Sequence, residues 1–311
     1  MDLARTEEQQ ELAATVRSLL AKRSDSAAVR AAVQTDAGYD VDLWKALCEQ
    51  VGVAALAIPE EYDGFGASLL ETAVVLEELG ERLTPAPLLA STLATAQTLL
   101  HGTDAEKADL LPRLAAGEVV PFTLGAIVLE PDGAGPAGSM DQTLRLALAA
   151  TPAEPPADVR AISVAMVSAL QVGAMQRAVD MTVSYSKERV QFGRPIGSFQ
   201  ALKHRMADML VLLEASRSAS LGAVAAAATH LAEPDERSAA SLSRLAAVAG
   251  SYCTDALERI ASETVQLHGG IAITWEHDAQ LVFKRAHALS QLNGPAHRLR
   301  TGILDRQGQR D

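Results

Sequence analysis

The sequence is poor in several things, and each shortage excludes something. Aromatic residues make up 4% of the 311-residue chain, with two tryptophans, four tyrosines and five phenylalanines. A core must therefore be built from aliphatic side chains. There are two cysteines, Cys48 and Cys253, too few for a disulfide framework and suited to a reducing compartment. No Cys/His cluster has zinc-ligand spacing, so no metal site is expected. Basic residues are outnumbered, 27 Lys and Arg against 39 Asp and Glu, a net charge of −12. That balance argues against nucleic acid or an anionic membrane as a partner, since both need a basic face. The first ten residues are acidic and polar, unlike a signal peptide. No apolar run reaches membrane-spanning length without a charge. These features point to a cytoplasmic location. Alanine, by contrast, is abundant, roughly a fifth of the chain, and is the strongest helix former. The expectation is a mainly α protein, long enough for two domains or for one large domain with an insert.

Residues 5–22 carry Leu12, Val16, Leu19 and Leu20 on one helical face, after Glu7, Glu8 and Glu11. Residues 41–50 read as a short helix through Leu43, Leu47 and Cys48, and 51–58 is apolar up to Pro59. A glycine-punctuated loop follows, then an amphipathic helix over 68–82. Pro85 and Pro87 open another helix, to about Leu100. Thr103 and Glu106 make a capping-box pattern for a helix over 104–116.

The texture changes at Gly117. Residues 119–129 are β-branched and apolar, 130–139 rich in Gly and Pro, 143–149 alternating, and 151–156 a proline-rich linker. This segment is too short for an independent β-domain with its own core. Helical pattern resumes over 158–187, 199–231, 235–267 and 276–289, with a last short helix after Gly294-Pro295. Short connections between them suggest an antiparallel four-helix bundle. The division is 1–117 (helical), 118–156 (shortened β segment and linker) and 157–311 (four-helix bundle).

Two stretches draw attention chemically. In Arg189-Val190-Gln191-Phe192-Gly193-Arg194-Pro195, running on to Phe199 and Gln200, Arg189 and Gln191 suit a phosphate or pyrophosphate. An ordinary capped connection is the competing explanation. In Gln266-Leu267-His268-Gly269-Gly270 the glycine pair is first a helix stop, and it also lets a ligand approach the backbone.

Together these stretches resemble the acyl-CoA dehydrogenases. The similarity rests on Arg189-x-x-Phe192-Gly193, Phe199-Gln200, Met206-Ala207-Asp208-Met209 and Gln266-x-x-Gly269-Gly270. In the N-terminal half it rests on the run from Ile58 to Gly66 and on Leu111-Pro112-Arg113-Leu114-Ala115-Ala116-Gly117-Glu118. The resemblance implies an N-terminal helical domain, a middle β-domain and a C-terminal four-helix domain, with FAD, an acyl-CoA substrate and tetramers built from dimers.

The departures matter as much. The middle domain is mostly missing. The family's catalytic carboxylate sits in one of two places, which here hold Asn293 and Ser163. Neither residue replaces a carboxylate simply, and Asp158 is the weak remaining candidate, more than one helical turn from Ser163. Glu276 and Asp278 read as solvated first-turn charges. What the chain keeps are elements that, in the family, reach a neighbouring subunit's FAD: Arg189, Gln191, Phe192, Gln200, Gln266, Leu267, His268, Gly269 and Gly270. The resemblance then implies the truncated subunit of a heterotetrameric (α2β2) enzyme of steroid side-chain degradation, with a full-length family member as partner. Two other readings stand beside it: a self-sufficient dehydrogenase using Asp158, and an interaction subunit that binds no flavin.

Overall fold

A computed structural model describes residues 5–131 and 139–307. The Gly/Pro-rich loop expected over 130–139 lies for the most part outside the described residues. The N-terminal third holds six helices: α1 (Glu7–Arg23), α2 (Ser26–Ala32), α3 (Val41–Ala46), α4 (Leu69–Arg82), α5 (Leu88–His101) and α6 (Asp104–Ala115). Capping explains most of the starts. Thr6, Ser68 and Thr103 each form a capping box with Gln9, Glu71 and Glu106 respectively. Asp25 and Asp40 cap α2 and α3 through their carboxylates. The sequence reading gave no helix at α2, although the Asp25 cap was its visible signal. It also ran one helix over 41–50, where the chain instead follows α3 with a π-turn, Leu47–Val51, ending at Gly52 with φ +77°.

The middle segment is one antiparallel hairpin. β1 (Phe122–Leu129) pairs with β2 (Leu146–Ala153), Leu129 opposite Leu146, with a bulge between Gly125 and Ile127. The second strand thus starts later than the alternation suggested and continues through Thr151 into what read as linker. β1 rests on α5. A buried ion pair ties the segment to the C-terminal domain. Arg285 Nε donates to Asp141 Oδ2 at 2.7 Å, Nη2 to the Thr143 carbonyl at 3.0 Å, and both residues of the pair are 1% exposed or less. Thr143 also donates to Asp141 Oδ1, which adds the hydrogen bonding a buried pair needs.

The C-terminal domain contains α7 (Ala157–Glu188), a two-by-two hairpin of β3 (Val190–Gln191) and β4 (Arg194–Pro195), α8 (Gln200–Ala232), α9 (Glu236–His268), α10 (Ala279–Leu292) and α11 (Ala296–Gln307). α7 is the central helix, packed on α4, α8 and α9. α7 and α8 are each long and apolar enough to cross a membrane, but the most apolar part of α7 is 89% buried inside the protein. Its polar groups pair across the bundle: Ser168 with Ser220, Gln171 with Thr254, Thr182 with Thr264.

The two helical domains meet where α4 crosses α7, at glycines. A Cβ on Gly173 would stand 2.0 Å from the Glu77 carbonyl oxygen, and one on Gly80 2.4 Å from that of Leu170. Both obstacles are backbone. Substituting Gly173→Val should lower unfolding free energy by about 2–3 kcal/mol, the usual cost of overpacking. Gly222→Ala, in α8 with nothing within 4 Å of its added Cβ, should raise it by up to about 1 kcal/mol through helix propensity. Urea denaturation midpoints check both.

Candidate functional site

The 189–200 connection is a tight hairpin. Gln191 pairs with Arg194, and the two residues between them, Phe192 and Gly193, have φ of +52° and +77°. Positive φ at both central positions is the type I′ pattern, which matches strand twist. Phenylalanine is poorly suited to that conformation, yet Phe192 occupies it with its ring 91% exposed. Its edge meets Phe199, centroids 6.1 Å apart, and the Arg194 guanidinium lies 4.0 Å over the Phe199 ring. Arg189, Gln191 and Gln200 are all exposed. Arg189 makes no ion pair among the described residues; Gln200 reaches only His204, 2.9 Å away.

The 266–270 turn lies beside the end of α7. α9 stops at Gly269, whose φ is +65°. The Tyr185 hydroxyl donates to the His268 carbonyl at 3.4 Å, and its ring stacks on the His268 imidazole, centroids 4.4 Å apart. Leu267 and His268 are buried; Gln266, Gly269 and Gly270 are exposed. A Cβ on Gly269, Gly270 or Gly193 would meet nothing within 4 Å. Space therefore stands open over the backbone of both stretches, with Arg189 and Gln266 at hand. A guanidinium beside open backbone can donate charge-assisted bonds to a phosphate or pyrophosphate. His268 points inward instead: its Nδ1 lies 2.8 Å from the Thr264 carbonyl. Burial, joined by neighbouring His277, lowers its pKa, against the pull of the Thr264 carbonyl. It orders the turn as a neutral ring and is no surface acid.

The two positions named for a missing carboxylate come together although 130 residues separate them. Ser163 on α7 donates from Oγ to Asn293 Oδ1 at 3.1 Å, and the residues are 0% and 8% exposed. Asn293 Nδ2 is buried without a partner. Neither residue is an acid or a base near neutrality. Asp158 is elsewhere. In the first turn of α7 it lies 2.9 Å from His101 Nε2 and 3.5 Å from His230 Nε2, and accepts from its neighbour's Val159 N–H at 2.7 Å. Burial raises its pKa, but the His101 contact and the Val159 N–H outweigh this and hold it below the ordinary value. It is a helix-terminal carboxylate hydrogen-bonded to two imidazoles, poorly suited to take a carbon-bound proton. Neither thiol offers an alternative nucleophile, since burial pushes both Cys48 and Cys253 up to about 12.

Sequence reasoning misjudged Asp278 and overlooked its partners. It is no solvated charge. As N-cap of α10 it accepts from Arg30 Nη2 at 3.0 Å and from Arg177 Nη2 at 2.9 Å, with Ser26 beside it. It joins α2 to α7, a contact across domains that no local pattern could announce. Tyr185, Arg194, His277 and Trp275 were also missed. Arg194 alone had a signal, its place in the Arg189-x-x-Phe192-Gly193 stretch.

The fold is thus a helical bundle built on α7, an N-terminal helical domain locked to it, and a hairpin between the two. The sequence matches the acyl-CoA dehydrogenase N-terminal domain over residues 6–118 and the C-terminal domain over 162–307. It is 46% identical to the acyl-CoA dehydrogenase IpdE2 of Mycobacterium tuberculosis, over 92% of this chain and 93% of that protein. The chain belongs to the acyl-CoA dehydrogenase family. Similar solved structures include the Tcur3481-Tcur3483 steroid acyl-CoA dehydrogenase variant (TM-score 0.81, 24% identity, covering 98% of this chain and 99% of that one). The ChsE4-ChsE5 complex of Mycobacterium tuberculosis is another (TM-score 0.78, 23% identity, covering 99% and 98%).

The carboxylates at Asp158 and Asp278 carry a prediction. Burial opposes ionisation of both, yet for Asp278 the Ser26, Arg177 and Arg30 contacts prevail, and its pKa lies below the ordinary 3.8. A carboxyl depressed by folding stabilises fully above its unfolded value, and that gain is lost as pH falls through the folded value. Urea midpoints should therefore drop steeply below pH 3.8. Asp278→Asn should cost about 2 kcal/mol at pH 7, the range of a charged hydrogen bond, and flatten the acid limb of the curve.

Proposed function

We propose that this chain is the subunit of a heterotetrameric acyl-CoA dehydrogenase that completes a partner's FAD site and carries no catalytic base of its own. The observation that carries this is the buried Ser163–Asn293 pair. The family reaction needs a carboxylate to take the α-proton while hydride leaves the β-carbon, and bound FAD supplies the hydride acceptor. At the two positions where that carboxylate is expected, this chain holds a hydroxyl and an amide bonded to each other. The cis half of the site is further reduced because a single hairpin stands in place of the middle domain.

The other half is retained. Arg189 would pair with the FAD pyrophosphate, Gln191 and Gln200 would hydrogen-bond it, and Phe192 would pack near the adenine end. Gln266, Gly269 and Gly270 would let the cofactor approach the backbone, with Leu267 and His268 as the buried seat of that turn. All of these groups are exposed or lie directly under exposed backbone, as a site finished by a second chain requires. Val190 in the first stretch, and Ile271, Ile273 and Trp275 just after the second, are likewise exposed apolar residues, of the kind buried at interface cores. A full-length family member is the partner, giving an α2β2 assembly. The likeness to the Tcur3481-Tcur3483 steroid acyl-CoA dehydrogenase variant supports a steroid side-chain CoA thioester as substrate, whose bulk a reduced middle segment would accommodate.

Purified alone, the chain should carry almost no flavin and show no dehydrogenase activity. Co-expressed with a full-length partner it should form a yellow heterotetramer with one FAD per αβ pair, measured by flavin absorbance and native mass. Arg189→Ala in that complex should weaken FAD retention about tenfold or more, as expected for a charge-assisted bond of about 1.5–3 kcal/mol. One FAD per subunit and turnover in the lone chain would overturn the proposal. Unchanged flavin content in the Arg189→Ala complex would make the loop merely structural.

A further inference from the structure

Between α1, α4, α7 and α8 lies a hollow of about 410 Å³. Its walls are aliphatic: Leu70 and Val74 of α4, Val172 of α7, and Leu221 and Val224 of α8. Protein interiors hold few voids larger than a water molecule, and this volume lies within the range of small-molecule sites. It shares no residue with the 189–200 connection or the 266–270 turn.

One end of the hollow is polar in a specific way. Arg5 and Arg217 both line it, and both bond the same carboxylate, Glu77: Arg5 Nη2 at 2.6 Å to one oxygen, Arg217 Nη1 to the other. The three side chains are 27%, 33% and 18% exposed. Glu78 takes two Arg17 nitrogens and stands 3.9 Å from Arg5 Nη1, and Gln176 accepts from Arg217 Nη2 at 2.9 Å. Glu214 is 59% exposed at the rim and stands 3.8 Å from Arg217 Nε, beyond hydrogen-bond range. Arg5 and Arg217 thus share the Glu77 carboxylate at the mouth of an aliphatic cavity. Burial lowers the proton affinity of both, opposed at Arg5 by Glu78 and Glu81 and helped at Arg217 by the charge of Arg5. A ligand carboxylate would take the Arg217 N–H donors not given to Glu77 or Gln176.

We propose that this cavity binds an aliphatic monocarboxylate, its chain between α4, α7 and α8 and its carboxylate on Arg217 and Arg5. The class follows from the combination of wall and mouth. An alcohol or hydrocarbon would fill the walls but leave the guanidiniums as they are. A small hydrophilic anion would meet the guanidiniums and leave the walls against water.

The test is equilibrium dialysis of radiolabelled decanoate against the full chain, with decan-1-ol as the uncharged probe. The proposal expects saturable one-to-one decanoate binding, with decan-1-ol at least tenfold weaker. Arg217→Gln should weaken decanoate at least tenfold and leave decan-1-ol unchanged. Leu221→Trp, at a partly exposed wall position, should weaken both by filling the cavity. Non-saturable uptake, equal affinity for acid and alcohol, or wild-type decanoate binding in Arg217→Gln would each overturn it. Should Leu221→Trp fail to fold by circular dichroism, the acid–alcohol comparison and Arg217→Gln still decide. Flavin content of the co-expressed complex reports separately on the Arg189 surface, so failure of one reading leaves the other standing.

Discussion

The architecture depends on how closely α4 can approach α7. At that crossing the two helices run backbone to backbone, because Gly80 and Gly173 present no side chain to each other's partner carbonyls. Nothing softer could absorb an added methyl group, since backbone oxygen cannot rotate away. With that contact made, α7 becomes the shared wall of both domains. Its buried length then seats α8 and α9 on one side and the N-terminal helices on the other. Asp278 adds an ionic tie across the same junction through Arg30 and Arg177. The two ends of α7 thereby acquire fixed positions, and both matter: one presents Ser163 to Asn293, the other launches the Arg189 hairpin.

Much of this was legible in the sequence. The long helices announced themselves through alanine and aliphatic periodicity, and their starts through capping residues such as Thr103 with Glu106. The Arg189 stretch was visible as a loop with unusual chemistry, but not as a hairpin with Phe192 at positive φ. Ser163 and Asn293 were named as two separate places for one missing group, and the structure brings them within 3.1 Å.

What stayed hidden was decided by tertiary partners. Asp278 reads locally like any first-turn acid, because nothing near it in sequence reveals Arg30 or Arg177. Arg285 and Asp141, 144 residues apart, form a buried pair for which composition gives no hint. The second strand ran past its expected end because pairing with β1, rather than alternation, sets where a strand stops. Helix α2 was overlooked as short, although its Asp25 cap was in plain view.

The bond between Ser163 and Asn293 has an evolutionary side. Under the proposed reading, a carboxylate restored at position 293 would be almost fully enclosed, with one hydroxyl as its visible donor. Desolvation would favour its neutral form. On the same reading neither a carboxylate there nor one at 163 rebuilds a middle domain from one hairpin. What one step at 163 or 293 leaves open to change is then the surface this chain offers to another, and not chemistry of its own.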